Sequence, residues 1–291
     1  MLVDVVVQGR EQAADWIETT LLARGTRPLG NDELYRLAED EVHLGPPQIG
    51  LALGVMKRRG DLLGNVYPFQ LHDVAVRCQE NATRTPYSSL LLLTPDGVAR
   101  QTVIRETTSE MEVLFERVTE EAMRSLWGLQ GRALRFGWPS DAGRPQEFNG
   151  AVVWLAQQIG IAPGIGFRPP RRKDGGVDVV AWRPFPDARG GAPLILVQCT
   201  LQSDILSKAS DVDTRVWASW LVMDFDPITA LAVPQTIPSG VLWDQLALRG
   251  MILDRVRIAG LIQPESSITG LDEWSTSIVD QLTPIMAGSD G

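Results

Sequence analysis

Apolar positions in the first 130 residues recur mostly at helical spacing. In EQAADWIETTLLARG, Ala14, Ile17, Leu21 and Leu22 share one side and Gly25 closes the run. NDELYRLAED repeats the pattern through Leu34, Leu37 and Ala38 behind an Asn31 or Asp32 cap. PPQIGLALGVMKRRGDLLG predicts a third helix, entered through Pro46 and Pro47 and stopped near Gly60. Two short apolar runs follow, HDVAVRC and SSLLLLTPDGVARQTVI, and the second reads as a hairpin about Pro95, Asp96 and Gly97. Helices followed by a small hairpin suggest a winged-helix module. SEMEVLFERVTEEAMRSLWGL is a long amphipathic helix with Met111, Leu114, Phe115, Val118, Ala122 and Leu126 on one side, expected to link two parts of the chain.

The period changes beyond FGWPSDAGRPQ, where Gly, Pro, Ser and Asp cluster. QEFNGAVVWLAQQIG predicts a helix with Phe148, Val152, Leu155 and Ile159 on one face and Glu147 in its first turn. RRKDGGVDVVAW gives a turn at Asp174, Gly175 and Gly176, then a strand on which Asp178 shares its face with Val180 and Trp182. PLILVQCTL predicts a buried strand that carries Gln198 and Thr200 on a single face, two residues apart. SDILSKASDVDTRVWASWL reads as a helix bearing Lys208, ALAVPQTI as a strand, and GVLWDQLALRG with MILDRVRIAGLI as a helix and a strand. TGLDEWSTSIVDQL closes the pattern as an amphipathic helix. The fold class is therefore α/β (α+β), divided into a mostly helical part over 1–140 and a mixed sheet flanked by helices over 141–291.

Composition narrows the function. The 291 residues are 44% hydrophobic and 22% charged, with a formal charge of −9, so no basic tail or basic half awaits nucleic acid. KRR at 57–59 is the one basic cluster of the first part, and at a helix end it complements the dipole. Cys78, Cys199, His43 and His72 are too few for a Cys/His zinc cluster and fit a reducing compartment. The opening residues lack a signal-peptide pattern and no apolar run is long enough for a membrane span, so a soluble, cytoplasmic chain is expected.

Glu147 and Phe148 opening a helix, DGGVDVVA at 174–181 and ILVQC at 195–199 together resemble the PD-(D/E)xK nuclease superfamily, and its Mrr-type restriction endonucleases most closely. The resemblance covers roughly residues 140 to 225. It implies a restriction-endonuclease-like domain in which Asp178 and Gln198 hold a magnesium or manganese ion, with Glu147 as a further carboxylate. It also implies a lysine two residues after the glutamine, where this chain has Thr200. Threonine cannot supply the positive charge that stabilises a pentavalent phosphorus. Lys208 is the first candidate to replace it and Lys173 the second, while Arg171, Arg172 and Lys173 suit contacts to a phosphate backbone.

Each residue also has a plainer role. Asp174, Gly175 and Gly176 alone make an everyday turn, a glutamine in a strand commonly hydrogen-bonds within the core, a glutamate at a helix start favours the dipole, and Trp217 and Trp220 at helical spacing belong to a core. The joint order and spacing favours the site. The expectation is a metal-dependent endonuclease acting on double-stranded DNA, in restriction of foreign or phage DNA, as a homodimer or as a subunit of a multi-protein defence complex. The alternatives are a nuclease-fold scaffold without catalysis that binds nucleic acid or protein partners, and a regulator working through the N-terminal part.

Overall fold

A computed structural model describes residues 5–140, 143–168, 173–187 and 189–287. Helix α1 (Gly9–Arg24) leads through the short strand β1 (Leu29–Gly30) to α2 (Asn31–Val42) and α3 (Pro46–Leu63). Strands β2 (Phe69–His72) and β3 (Ala75–Cys78) form an antiparallel hairpin, and β1 adds to β3 through Leu29 opposite Val76, giving the order β1-β3-β2.

The hairpin expected about Pro95–Gly97 is not there. That segment forms α4 (Pro86–Leu93) and α5 (Val98–Thr102). Pro86 stands in the first turn of α4, and Thr85 caps it by accepting a hydrogen bond from the Ser88 N–H at 3.2 Å. Leu90, Leu91, Leu92 and Leu93 are all buried. A short continuous apolar run of this kind suits a helix buried on every side as well as a strand, and periodicity cannot separate the two.

Helix α6 (Ser109–Leu126), expected as a linker, instead lies on a five-stranded sheet, packed against three of its strands. The sheet runs β4 (Arg132–Arg135), β5 (Val179–Trp182), β6 (Leu194–Cys199), β7 (Ile228–Ala232), β8 (Met251–Leu253) in spatial order. Neighbours are antiparallel from β4 through β5 to β6 and parallel from β6 through β7 to β8, with Val179 opposite Val197 and Gln198 opposite Leu231. Helix α7 (Phe148–Ile159) enters between β4 and β5.

The stretch after β6 breaks into α8 (Ile205–Lys208) and α9 (Thr214–Trp220). Asp204 and Asp213 each cap the helix that follows, accepting from Ser207 N at 3.3 Å and from Arg215 N at 3.0 Å. Beyond β7 come α10 (Val241–Ala247), β8, α11 (Arg255–Leu261) and α12 (Leu271–Ala287). MILDRVRIAGLI is thus strand only as far as Leu253, because Asp254 caps α11 by accepting from Arg257 N at 3.1 Å.

Strand alternation assigns the cores. Val179, Ala181, Ile195 and Val197 face the largest core with Phe115, Val118 and Ala122 of α6, and this core runs from Ala13 to Met286, across residue 140. Val180, Trp182, Leu194 and Leu196 face the opposite way, onto Phe148 and Leu155 of α7 and Trp217 and Trp220 of α9. Among the described residues no helix is long and apolar enough to cross a membrane.

Candidate active site

Asp178 stands at the entry to β5 with its backbone held from both sides. Its N–H donates to the Val197 carbonyl at 2.9 Å, and its carbonyl accepts from Phe136 N at 2.6 Å and Gly137 N at 2.9 Å. The side chain is equally fixed, since Oδ2 accepts from Cys199 N at 2.7 Å. That N–H belongs to the peptide joining Gln198 to Cys199, so the Asp178 carboxyl lies beside the residue that the spacing singled out.

Gln198 is 8% exposed. Its Nε2 donates to Asp211 Oδ2 at 3.1 Å, and its Oε1 is buried without a hydrogen-bond partner among the described residues. Both side chains open into a cleft of about 310 Å³ whose walls also include Glu112, Glu116, Asp174, Thr200, Lys173 and Lys208. Lys208 Nζ donates to Asp211 Oδ2 at 3.1 Å, and Lys173 Nζ lies 4.4 Å over the Trp138 ring.

Two of these carboxyls, Asp178 and Glu116, are held above the usual carboxylate range. Burial pushes Asp178 up to about 7, aided by the charge of Asp174 and opposed by the Cys199 N–H and Arg135. Burial, then the charge of Asp178, lifts Glu116 to about 9 against the pull of Arg135, whose Nε lies 2.6 Å from Glu116 Oε2. Burial and mutual repulsion thus disfavour bare negative charge on these two groups.

No protein family, curated protein or solved structure matches this chain.

Of the residues singled out in the sequence, Asp178, Gln198, Lys208 and Lys173 share the cleft. Arg171 and Arg172 lie outside the described residues. Glu147 is exposed at the N-cap of α7 and is not among the residues lining the cleft. Helix α7 packs on the face of Val180 and Leu196 with Glu147 at its exposed start, and α6 packs on the face of Val179 and Val197. The helical carboxylates at the cleft come from α6, as Glu112 and Glu116. Their signal was a second stripe on that helix, Glu112, Glu116, Thr119 and Met123, of which the last three are buried. Thr200 is 6% exposed, and its Oγ1 accepts from Gln202 N at 3.2 Å.

Among the described residues no group of three His, Cys, Asp or Glu side chains is arranged to hold a metal ion. The donor set is Asp178, the unpartnered amide oxygen of Gln198 and the nearby Glu116. It fits magnesium, which takes one or two carboxylates and keeps several waters, better than an ion that demands a full protein cage.

Proposed function

We propose that the cleft hydrolyses phosphodiester bonds with a bound magnesium or manganese ion, as a DNA endonuclease of Mrr-like type. One observation carries this reading: the Asp178 carboxyl, held by the Cys199 N–H, and the Gln198 side chain line one cleft, with the glutamine oxygen buried and unpartnered among the described residues. Asp178, Gln198 and Glu116 would hold the ion. When bound, it would polarise the scissile phosphate and lower the pKa of an attacking water.

The chain's own groups do the rest. Lys208, at the cleft wall and tethered through Asp211, offers the positive charge that Thr200 lacks, and Lys173 offers a second at the mouth. The antiparallel β4-β5-β6 order followed by parallel β7 agrees with the restriction-endonuclease-like sheet that the sequence resemblance implies. The order α1-β1-α2-α3-β2-β3, with β1 added to a terminal hairpin, suits a winged-helix module that contacts double-stranded DNA or a partner. With a charge of −9 the chain has no strong electrostatic footprint of its own, which suits a cytoplasmic defence nuclease acting as a homodimer or within an assembly.

Supercoiled plasmid incubated with the purified protein and manganese tests the reading. Nicking or linearisation is expected from the wild type, reduced at least ~100-fold in Asp178→Ala and strongly reduced in Lys208→Ala. Cleavage kept in Asp178→Ala would remove the proposal. A second reading, a scaffold that has lost catalysis, is favoured by Thr200 in the lysine position. It calls for manganese-dependent thermal stabilisation without cleavage, or for neither.

A further inference from the structure

The two ends of the Gln198 amide have different surroundings. Nε2 donates to Asp211 Oδ2 at 3.1 Å, while Oε1 is buried and unpartnered among the described residues. The same Asp211 oxygen accepts from Lys208 Nζ at 3.1 Å. Asp211 lies between α8 and α9, and its own N–H donates to the Lys208 carbonyl at 3.1 Å.

The Asp-Gly-Gly turn closes on this residue. Gly176 has φ +78°, which favours glycine, and a Cβ there would crowd the Asp211 carbonyl oxygen at 3.1 Å. Gly175 is pinned in turn, its carbonyl accepting from Trp217 Nε1 at 3.2 Å. Asp211 is thus braced from β6, from the turn before β5 and from the end of α8.

An amide has a donor end and an acceptor end, exchanged by a half-turn of its last torsion, whereas an ionised carboxylate only accepts. A carboxylate beside Gln198 therefore draws the NH₂ group to itself and leaves the carbonyl oxygen for the cleft. A neutral residue at the Asp211 position would let either end face inward, and an inward NH₂ group would repel a cation.

We infer that Asp211 is a positioning residue: it fixes the Gln198 carbonyl toward the cleft, supplies one hydrogen bond away the negative charge that position 198 lacks, and tethers Lys208 over the same space. The role toward a cation rests on the nuclease reading. The orientation of the amide does not.

Two measurements keep the two apart. In metal-free, ¹⁵N-labelled protein the Gln198 side-chain amide pair, assigned by its loss in Gln198→Ala, should show a proton protected from exchange. Asp211→Ala should bring that proton to the exchange rate of a free glutamine side chain. In the second measurement Mn²⁺ alone is titrated by its paramagnetic effect on water relaxation. Asp211→Ala should weaken binding by about 10–100-fold.

The charge-exchanged pair Gln198→Glu with Asp211→Asn should bind Mn²⁺ within about threefold of wild type, since it moves the acid across one hydrogen bond. Gln198→Glu alone should lower the unfolding temperature, because two carboxylates then face each other. A Gln198 amide unmoved in Asp211→Ala would overturn the orienting role, and unchanged Mn²⁺ affinity in that variant would overturn the charge role. A wild type that binds no Mn²⁺ would overturn the nuclease reading together with the charge role, while the amide exchange still decides the orientation.

Discussion

Asp178 and Glu116 hold protons in the folded chain that an unfolded chain releases at about pH 4. The sign of the pH effect follows. Between that value and about 7 for Asp178, or about 9 for Glu116, the native state binds more protons than the unfolded state, so these groups make stability fall as pH rises. Thermal unfolding followed from about pH 5 to 9 should therefore show a decline that Glu116→Gln lessens throughout and Asp178→Asn lessens below about 7. Identical profiles for wild type and both variants would show that neither proton is held in the fold. A divalent cation should oppose the decline, because it binds the ionised forms. At this scale the sequence was legible where an anomaly stood out against an apolar background, as Asp178 and Gln198 do in their strands. Glu116 was not, since a glutamate on a long amphipathic helix looks solvated until the sheet that buries it is known.

Helix α6 reaches the cleft because of how it turns into β4. A side chain at Gly131 would land against the carbonyl oxygen of Arg124 and 2.9 Å from Trp127 Cβ, so the turn leaves no room for a methyl group. Gly137 plays the matching part at the far end of β4, where a Cβ would collide with the Glu116 carboxyl. Gly131→Ala should cost roughly 2 kcal/mol in denaturant unfolding and move Glu112 and Glu116 relative to the strand ends. A variant as stable as wild type would show that the turn relaxes freely. Element type was readable wherever one period dominated, as in α1, α3, α6, α7, β5 and β6. It failed for α4, four consecutive leucines without alternation, and at α8, α9 and α11, where aspartates that looked like surface charge are caps that break the chain into shorter pieces. The helix covering each face of the sheet could not be read from spacing, so the carboxylates that α6 brings to the cleft were not singled out.

Across the whole molecule, a buried ionic cluster ties the first helix to the last third of the chain. Arg255 donates to both carboxylate oxygens of Asp15 at 2.8 Å, and Arg59 of α3 donates to Asp15 at 2.7 Å and Glu18 at 2.9 Å. Tyr67 and Tyr87 donate to Glu18 at 2.6 and 3.0 Å. Burial would raise the Asp15 carboxyl, but the two guanidiniums outweigh it and hold it below its ordinary value. Two arginines face the buried Asp15 and Glu18, and Arg59 also donates to the partly buried Glu11 at 3.0 Å, so removing one arginine leaves a buried charge without compensation. Arg255→Met should destabilise the protein by about 3–5 kcal/mol, and Asp15→Asn with Arg255→Met should recover part of the loss. Additive losses in the double variant would show that the pair is not coupled. None of this was visible in the sequence, because 240 residues separate the partners.

That separation bears on biosynthesis. Asp15 emerges from the ribosome long before Arg255, and until then Arg59 is the only arginine available to it of the two that flank it in the native fold. The ionic partners of the amino-terminal helix are therefore complete only once α11 has been synthesised. A chain cut short by premature termination before residue 255 would lack the charge that completes its own beginning.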